Sequence, residues 1–439
     1  MMRNRECLKT NLVLRHLLAF TLGFCVPFGA HADAVSFAPQ QTFPTFSGPF
    51  SVAVADINAD HKPDVITANY NNTANGSANG AAVLLNTTTS PTGNVSFAAW
   101  QGFTTQWNSA SVAIADVNHD TNPDLIVADY GGGVVSVLIN TTSVGAGSPS
   151  FASQQAYAVG PFGNEEPISV ATADINMDDK PDVITADFSV GKFTVLLNTT
   201  SDLVITSSFA AHVDFTTGTG GSSTKPRSIT AADINGDGKP DVIVANRGDN
   251  TISVFLNTTS PSGPTPTFAA QQIFATGSNP TSVVADDVNG DGKLDLIVAN
   301  NSDNTVSVFL NTRATTPGPA TFATPVNFAA GISALSAWAV ATADLDGDGK
   351  PDLIVVDRAT ADNLVSVLIN TTAANAPTPS FAAQQTFATG LFPLSVATAD
   401  VNGDGKLDLI VANESGSTVS VLINTTAASD VIFASGFEP

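Results

Sequence analysis

Residues 395–413 read Ser395-Val-Ala-Thr-Ala-Asp-Val-Asn-Gly-Asp-Gly-Lys-Leu-Asp-Leu-Ile-Val-Ala-Asn413, and six related stretches precede them in the chain. Each stretch contains an acidic core. The cores begin at Asp56, Asp116, Asp174, Asp233, Asp287, Asp344 and Asp400. The period of 54 to 60 residues is longer than one coil of most solenoids, and it is typical of a four-stranded propeller blade.

Four strands are predicted in each repeat. In the last repeat Ser395–Ala399 forms a short strand, Leu409–Ala412 a strand buried on both faces, and Thr418–Ile423 a half-buried strand with alternating residues. A Phe-Ala pair marks the start of the fourth strand. Related phenylalanines occur at Phe37, Phe97, Phe151, Phe209, Phe268, Phe322 and Phe381.

The order of these strands predicts how the fold closes. Residues Phe37–Phe43 precede every acidic core, so we expect this strand to complete the last sheet and to leave no free sheet edge. The sequence therefore predicts an all-β, seven-bladed propeller of four-stranded blades over residues 36–426. Residues 427–439 form a tail, in which Val431–Phe433 is an alternative closing strand.

Residues 1–32 have the composition of a secretory signal. Basic residues are followed by the apolar stretch Leu17–Phe28 and by the cleavage pattern Ala30-His31-Ala32. We therefore expect a secreted or cell-surface protein. Both cysteines, Cys7 and Cys25, lie in this segment, so the mature chain has no disulfide. No later run reaches the ~18 apolar residues of a membrane helix, and no membrane span is expected.

The acidic cores follow the pattern D-x-[DN]-x-D-x-x-x-D. Side-chain oxygens at positions 1, 3 and 5 of a tight loop converge on one point, and a carbonyl at position 7 and a carboxylate at position 9 complete a shell of oxygens. Such a flexible oxygen shell is what Ca²⁺ prefers. A hairpin turn is the alternative interpretation of Asn-Gly-Asp-Gly, but turn chemistry needs no carboxylate at positions 1 and 9.

The sequence therefore predicts up to seven structural Ca²⁺ ions. The residues at positions 1, 3, 5, 7 and 9 are Asp56, Asn58, Asp60, Lys62 and Asp64; Asp116, Asn118, Asp120, Asn122 and Asp124; Asp174, Asn176, Asp178, Lys180 and Asp182; Asp233, Asn235, Asp237, Lys239 and Asp241; Asp287, Asn289, Asp291, Lys293 and Asp295; Asp344, Asp346, Asp348, Lys350 and Asp352; and Asp400, Asn402, Asp404, Lys406 and Asp408.

The charge of the chain agrees with bound cations. The formal net charge is −23, and it becomes −26 without residues 1–32, which carry four basic residues and one acidic residue. Such a charge repels nucleic acid. The loops hold 22 of the 38 acidic residues after residue 32, and these carboxylates repel one another unless a cation lies between them.

Position 6 of each loop is expected to adopt a left-handed turn. It is Gly in the last four loops, and His61, Thr121 and Asp179 in the first three. A branched residue such as Thr121 adopts this conformation least readily.

The repeats resemble the FG-GAP/VCBS family, which forms the propeller of integrin α-subunits and of many secreted bacterial proteins. The resemblance covers residues 36–426 and is most specific in the core D-x-N-G-D-G-K-x-D. It implies that the calcium loops join the first and second strands of each blade on one face of the propeller. A fold of this kind does not by itself specify a function.

The opposite face is the predicted ligand face. It carries Phe50, Trp107, Phe162, Trp338 and Phe392, together with insertions at residues 71–80 and 216–227. Such aromatic side chains stack on sugar rings or anchor a protein partner; packing between blades is the alternative. We expect a monomeric binding or adhesion module for a glycan or for an extracellular or cell-surface protein.

A polysaccharide lyase or hydrolase and a purely structural surface protein are the alternatives to a binding module. Residues suited to catalysis are few, because His61 and His119 lie in acidic loops and the adjacent pair Glu165 and Glu166 point apart in a strand. We therefore predict no catalytic residues. Arg247-Gly248-Asp249 is interpreted as an ordinary turn.

Six Asn-Thr-Thr triplets follow the third strands of their repeats. They begin at Asn86, Asn140, Asn198, Asn257, Asn370 and Asn424. They match the glycan acceptor pattern, but their regular place at a strand end favours turn chemistry.

Overall fold

The computed structural model describes residues 34–70, 79–91, 94–160, 165–314, 317–331, 336–358 and 363–427. These residues form 28 β-strands and no helix. The predicted signal segment, Phe162, the tail strand Val431–Phe433 and most of the insertion at 71–80 lie outside the described residues.

The strands form seven antiparallel sheets of four strands each, which confirms the predicted seven-bladed propeller. Blades 1 to 4 are β2 Pro49–Ala55, β3 Asp64–Asn69, β4 Asn79–Leu84 and β5 Gln101–Thr104; β6 Ser109–Ala115, β7 Asp124–Asp129, β8 Val134–Leu138 and β9 Gln155–Ala158; β10 Pro167–Ala173, β11 Asp182–Asp187, β12 Lys192–Leu196 and β13 Val213–Thr216; and β14 Pro226–Ala232, β15 Asp241–Asn246, β16 Thr251–Phe255 and β17 Gln272–Ala275. Blades 5 to 7 are β18 Pro280–Asp286, β19 Asp295–Asn300, β20 Thr305–Phe309 and β21 Val326–Ala329; β22 Ala337–Ala343, β23 Asp352–Asp357, β24 Leu364–Leu368 and β25 Gln385–Ala388; and β26 Pro393–Ala399, β27 Asp408–Asn413, β28 Thr418–Leu422 and β1 Gln41–Pro44.

Blade 7 closes the ring as predicted. The N-terminal strand β1 pairs antiparallel with β28, with Gln41 opposite Val421 and Pro44 opposite Thr418. The fourth strand of each blade begins later than the sequence suggested. Phe37 makes only an isolated bridge to Asn424, and four residues further on the regular ladder begins.

The second strand of each blade is buried along its whole length, as its continuous apolar sequence predicts. Its side chains pack against the first strand of the next blade. One core cluster, for example, joins Ile66 and Val83 of blade 1 to Val112 and Leu125 of blade 2. The hydrophobic core is therefore a set of layers between neighbouring blades, and no blade buries its faces alone.

The repeated phenylalanines connect the outer strands of neighbouring blades. Seven edge-to-face ring pairs, with centroids 4.7–5.1 Å apart, link every blade to the next. The pairs are Phe43–Phe97, Phe103–Phe151, Tyr157–Phe209, Phe215–Phe268, Phe274–Phe322, Phe328–Phe381 and Phe387–Phe37. Each such pair contributes about 0.5–1.5 kcal/mol beyond its buried area.

Serine hydroxyls connect the inner strands around the central channel. The Ser51 hydroxyl in blade 1 accepts the backbone N–H of Val112 in blade 2 at 3.4 Å, and five further junctions repeat this contact. At the junction from blade 6 to blade 7 the equivalent residue is Ala339, which has no hydroxyl.

Asparagines at the ends of the third strands also link adjacent blades. Asn140 donates from Nδ2 to the carbonyl of Ile57 in the preceding blade at 2.9 Å and to Pro123 in its own blade at 3.1 Å, while its Oδ1 accepts the N–H of Thr142. The same side-chain donation to two carbonyls occurs at Asn86, Asn257, Asn311, Asn370 and Asn424. Asn198 donates to the carbonyl of Val117 in the preceding blade at 2.9 Å. These side chains are buried, which confirms their structural role at the strand ends.

Candidate metal loops and ligand face

The acidic loops join the first and second strands of each blade, as predicted. In blade 7 the position-1 carboxylate of Asp400 accepts the N–H groups of Gly403, Asp404 and Gly405 at 2.7–3.0 Å. The Asn402 Oδ1 at position 3 accepts the N–H of Asp404 at 3.0 Å. These contacts wrap the loop around its own side-chain oxygens.

The sixth loop shows how closely the carboxylates meet. One oxygen from each of Asp344, Asp346 and Asp348 lies within 4.8 Å of the others. Burial raises the pKa of Asp346, and the neighbouring Asp348 carboxylate raises it further. In the third loop the buried Oδ1 of Asn176 has no hydrogen-bond partner among the described residues. Hard oxygens gathered in this way fit a divalent cation such as Ca²⁺.

The position-9 aspartates also accept hydrogen bonds from the backbone. In blade 7 the Asp408 Oδ2 accepts the N–H of Val401 at 3.0 Å and its Oδ1 accepts the N–H of Asn424 at 2.8 Å. All seven position-9 residues are fully buried, and burial raises the pKa of Asp408 to about 7. Carboxylate oxygens keep further lone pairs, so the role of position 9 as a metal ligand stays a prediction.

The predicted left-handed turn at position 6 is present in every loop. Its φ is 66° at His61, 73° at Thr121 and 85° at Gly405. Position 4 is left-handed as well, which the sequence did not predict. Gly occupies it in the last four loops, and the first three carry Ala59, His119 and Met177 with φ of 53–55°. The first three loops therefore each hold two non-glycine residues in a costly conformation.

The opposite face of the propeller surrounds the mouth of the central channel. Each blade contributes three positions to it: the residue that ends the turn before the first strand, the second residue of that strand, and the residue after the second strand. In blade order these are Gly48, Phe50 and Tyr70; Asn108, Ala110 and Tyr130; Glu166, Ile168 and Phe188; Lys225, Arg227 and Arg247; Asn279, Thr281 and Asn301; Ser336, Trp338 and Arg358; and Phe392, Leu394 and Glu414. We call this set the channel mouth.

Three arginines converge on Trp338 in the channel mouth. The guanidinium carbon of Arg358 lies 3.8 Å from the Trp338 ring centroid, that of Arg227 4.9 Å and that of Arg247 5.9 Å. Arg227 also lies 5.2 Å from the Phe50 ring and is only 8% exposed. Burial, with the neighbouring Arg247 and Arg358, lowers the pKa of Arg227 to about 9. Desolvated cations over aromatic faces are attracted by about 2 kcal/mol.

Aromatic rings continue around the other side of the mouth. Phe50 stacks on Tyr70 with centroids 5.2 Å apart, Tyr70 lies 5.7 Å from Tyr130, and Tyr130 lies 6.4 Å from Phe188. The Tyr130 hydroxyl donates to Glu166 at 2.6 Å. Burial and this carboxylate raise the pKa of Tyr130, so its phenol stays protonated. The mouth thus has an aromatic side in blades 1–3, and its cationic residues come from blades 4 and 6.

The predicted ligand-face residues lie in different surroundings in the structure. Phe50 and Trp338 line a cavity at the mouth of about 260 Å³, and Phe392 lies against Arg358 at 4.7 Å. Trp107 is 55% exposed and is not among the residues that line this cavity. Trp338 is buried, so it both packs within the fold and borders the mouth.

The arginines of the channel mouth were not predicted as site residues from the sequence. Three of the four arginines after residue 32 lie here, and the fourth is Arg313. Arg247 and Arg358 occupy the same offset from the acidic core in two different repeats. An alignment of the seven repeats would have placed these two arginines at the same position.

Among the described residues, the candidate catalytic residues Glu166 and His119 and the remaining histidine His212 have separate partners. Glu166 accepts hydrogen bonds from Tyr130 and Ser189. His119 lies 3.4 Å from Asp202, and His212 lies 2.7 Å from Asp214.

Sequence profiles of repeat families match the chain along most of the propeller. The profile described as an FG-GAP-like repeat matches residues 116–185, 233–298 and 287–355, and the FG-GAP repeat profile matches residues 48–85 and 392–423. Together the matches cover more than half of the chain and contain all seven acidic loops. The chain belongs to the FG-GAP repeat family. Membership indicates a binding or structural module.

Solved structures with the same fold are distant in sequence. BBS1N, crystallised in complex with ARL6DN, is 11% identical with a TM-score of 0.54, and the match covers 90% of this chain and 98% of that chain. A putative 6-phosphogluconolactonase from Bacteroides fragilis is 16% identical with a TM-score of 0.56, over 84% of this chain and 94% of that chain. No curated protein sequence matches the chain. Among the described residues there is no helix with the length and apolarity that a membrane crossing needs.

Proposed function

We propose that this FG-GAP protein is a secreted, calcium-stabilised binding module without catalytic activity, and that its ligand binds at the channel mouth. The observation that carries the proposal is the contrast between the two faces of the ring. The acidic loops repeat the same residue types seven times, whereas the mouth gathers aromatic rings on one side and arginines on the other. Residues that recur in every blade maintain the fold, whereas a concave surface that differs between blades is suited to binding a ligand.

Calcium in the acidic loops would serve the fold. The loop carboxylates lie close enough to repel one another, as in the group Asp344, Asp346 and Asp348. Residues at positions 1, 3 and 5 supply the oxygens that would hold a Ca²⁺ ion, with the position-7 carbonyl as a further donor. Neutralising these charges would hold the first and second strands of each blade together, in a mature chain without cysteine.

The ligand is proposed to be extracellular, a glycan or a cell-surface protein. The signal-like composition of residues 1–32 supports export. The distant structural neighbour BBS1N was crystallised with a protein partner, which supports the propeller as a scaffold for recognition. Aromatic faces at the mouth, such as Phe50 and Tyr70, are the surfaces that sugar rings or side chains of a partner contact.

Tyr70→Ala tests the mouth as the binding site. We expect the calcium-loaded protein to retain glycans on an array, and the Tyr70→Ala variant to lose at least about tenfold in affinity because one wall of the cavity is removed. The matched control is Ile273→Ala, an exposed residue on the outer strand β17. Equal binding by Tyr70→Ala and the parent protein would place the ligand elsewhere. Cleavage of a retained glycan would show an enzyme.

Thr121→Gly tests whether turn strain sets the order of calcium affinities. Thr121 has φ of 73°. Relief of about 1 kcal/mol of backbone strain should raise the calcium affinity of the second loop roughly fivefold. In the parent protein the second loop should empty first as calcium falls, and the sixth, with its fourth carboxylate, last. Site-by-site occupancy in crystals grown at limiting calcium measures the order.

Gly349→Thr is the converse variant. A Cβ at Gly349 would meet no atom within 4 Å, so the substitution adds backbone strain without a clash, and it should weaken the sixth loop. Equal occupancy of all loops at limiting calcium would contradict the strain argument.

A further inference from the structure

The three arginines of the channel mouth form no close ion pair with a described residue, and Glu414 offsets the charge of Arg358 only from beyond salt-bridge distance. Among the described residues no salt bridge within 4.0 Å involves Arg227, Arg247 or Arg358. Within the described part of the chain the buried Nε atom of Arg358 has no hydrogen-bond partner, and Arg227 is more than nine-tenths buried. Desolvating an unpaired charge is costly, so this arrangement is expected where a ligand supplies the opposite charge.

Other charged groups at the mouth do not cancel the three guanidiniums. Glu414 lines the cavity, and burial raises its pKa while Arg358 lowers it. Lys225 adds another positive charge, 5.9 Å from the Phe188 ring. Glu166 is engaged by Tyr130 and Ser189. The mouth is therefore a positive site on a chain with a formal net charge of −23, and we expect it to attract anions against the overall charge.

We infer, on the basis of the binding function proposed above, that the channel mouth binds a negatively charged sugar residue. Its carboxylate or sulfate would face Arg227, Arg247 and Arg358, and its ring would lie against Phe50, Tyr70 and Tyr130. Guanidinium groups recognise carboxylate and sulfate oxygens through paired N–H donors. Trp338 holds two of the arginines within 5 Å of its ring, so little side-chain freedom is lost on binding.

The dimensions of the cavity favour a sugar residue over a peptide segment. Its volume of about 260 Å³ accommodates one or two rings, whereas peptide recognition generally uses an extended groove or a sheet edge. The aromatic rings lie beside the arginines, so a single ligand unit would need both a charged group and an apolar face. An acidic sugar has both.

Oligosaccharides that end in glucuronate or galacturonate, compared with their methyl esters, test this inference by isothermal titration calorimetry in calcium buffer. A second pair compares sulfated with desulfated oligosaccharides and distinguishes the two sources of charge. We expect the acids or the sulfates to bind and the neutral counterparts to bind at least tenfold more weakly. Arg247→Gln and Arg358→Gln should each weaken binding about tenfold or more. Arg313→Gln, which changes an arginine outside the mouth, should leave binding unchanged.

The outcomes separate this inference from the proposed function. Equal affinity for acids and esters, still lost in Tyr70→Ala, overturns the charge assignment and keeps the mouth as the binding site. Binding of an acidic peptide in place of acidic sugars, lost in the arginine variants, overturns the ligand class. Binding of acidic sugars that is insensitive to Tyr70→Ala and to both arginine variants overturns both proposals.

Discussion

Chelation of calcium is expected to lower the melting temperature of this propeller by more than about 10 °C, and calcium addition should restore it. A ligand that binds only the folded state at 1,000 times its Kd stabilises that state by about 4 kcal/mol per site. The whole folding free energy of a domain is about 5–15 kcal/mol. Loss of calcium from only a few of the seven loops would therefore remove a large part of the stability.

Differential scanning calorimetry with EGTA, with and without added calcium, measures this effect. Magnesium added to the chelated protein is the control, since Mg²⁺ requires stricter octahedral geometry and releases its waters reluctantly. We expect little recovery with magnesium and full recovery with calcium. An unchanged melting temperature in excess EGTA would show that the loops are stable as hydrogen-bonded turns, in the manner of Asp400 with its three backbone donors.

The fold could be predicted from the sequence because its main determinants lie within each repeat. The acidic core, the apolar second strand and the alternating third strand are each contiguous, and their spacing gives four strands per blade. Closure followed from one observation, that a strand at Phe37–Phe43 precedes the first core. Its ladder begins only at Gln41. Phe37 makes an isolated bridge to Asn424 of its own blade, and its ring packs on Phe387 of blade 6.

What the sequence did not predict depends on contacts between repeats. The ring pair Phe43–Phe97 joins residues of blades 7 and 1, and no local pattern shows that these rings meet. The channel mouth has the same origin, since Arg247 and Arg358 lie 111 residues apart in the chain and both lie over Trp338. The left-handed backbone at Ala59 was not predicted from the sequence either, because alanine is not typical of that conformation.

The two faces of the ring therefore differ in how much a single sequence reveals. The candidate ligand atoms of each acidic loop come from nine consecutive residues, so their pattern can be recognised directly in the sequence. The channel mouth takes three residues from each blade, and its charge emerges only when the blades are arranged in a ring. This is why the acidic loops were predicted residue by residue, and the arginines were not.

Replacement of a blade-linking asparagine is expected to destabilise the protein strongly, although these asparagines lie outside the acidic loops. Asn257→Ala would remove two hydrogen bonds from Nδ2, to Ile175 O at 2.8 Å and Pro240 O at 3.1 Å, and one from Thr259 N to Oδ1 at 2.8 Å. Two buried backbone groups and one partly buried carbonyl would then lose these partners, at about 1–3 kcal/mol for each buried group. We expect a loss of about 3–5 kcal/mol, measured by urea unfolding at saturating calcium.

The control for Asn257→Ala is its neighbour in the chain, Thr258→Ala. The Thr258 hydroxyl pairs with that of Thr267 at 3.0 Å in an exposed position, so its loss should cost less than about 0.5 kcal/mol. Asn257 belongs to blade 4, but its partner Ile175 lies at position 2 of the acidic loop of blade 3. Asn257→Ala should therefore also weaken calcium binding in the third loop and leave the sixth loop unchanged. A loss below about 1 kcal/mol would show that apolar packing alone couples the blades, and normal occupancy of the third loop would show that its calcium affinity does not depend on the next blade.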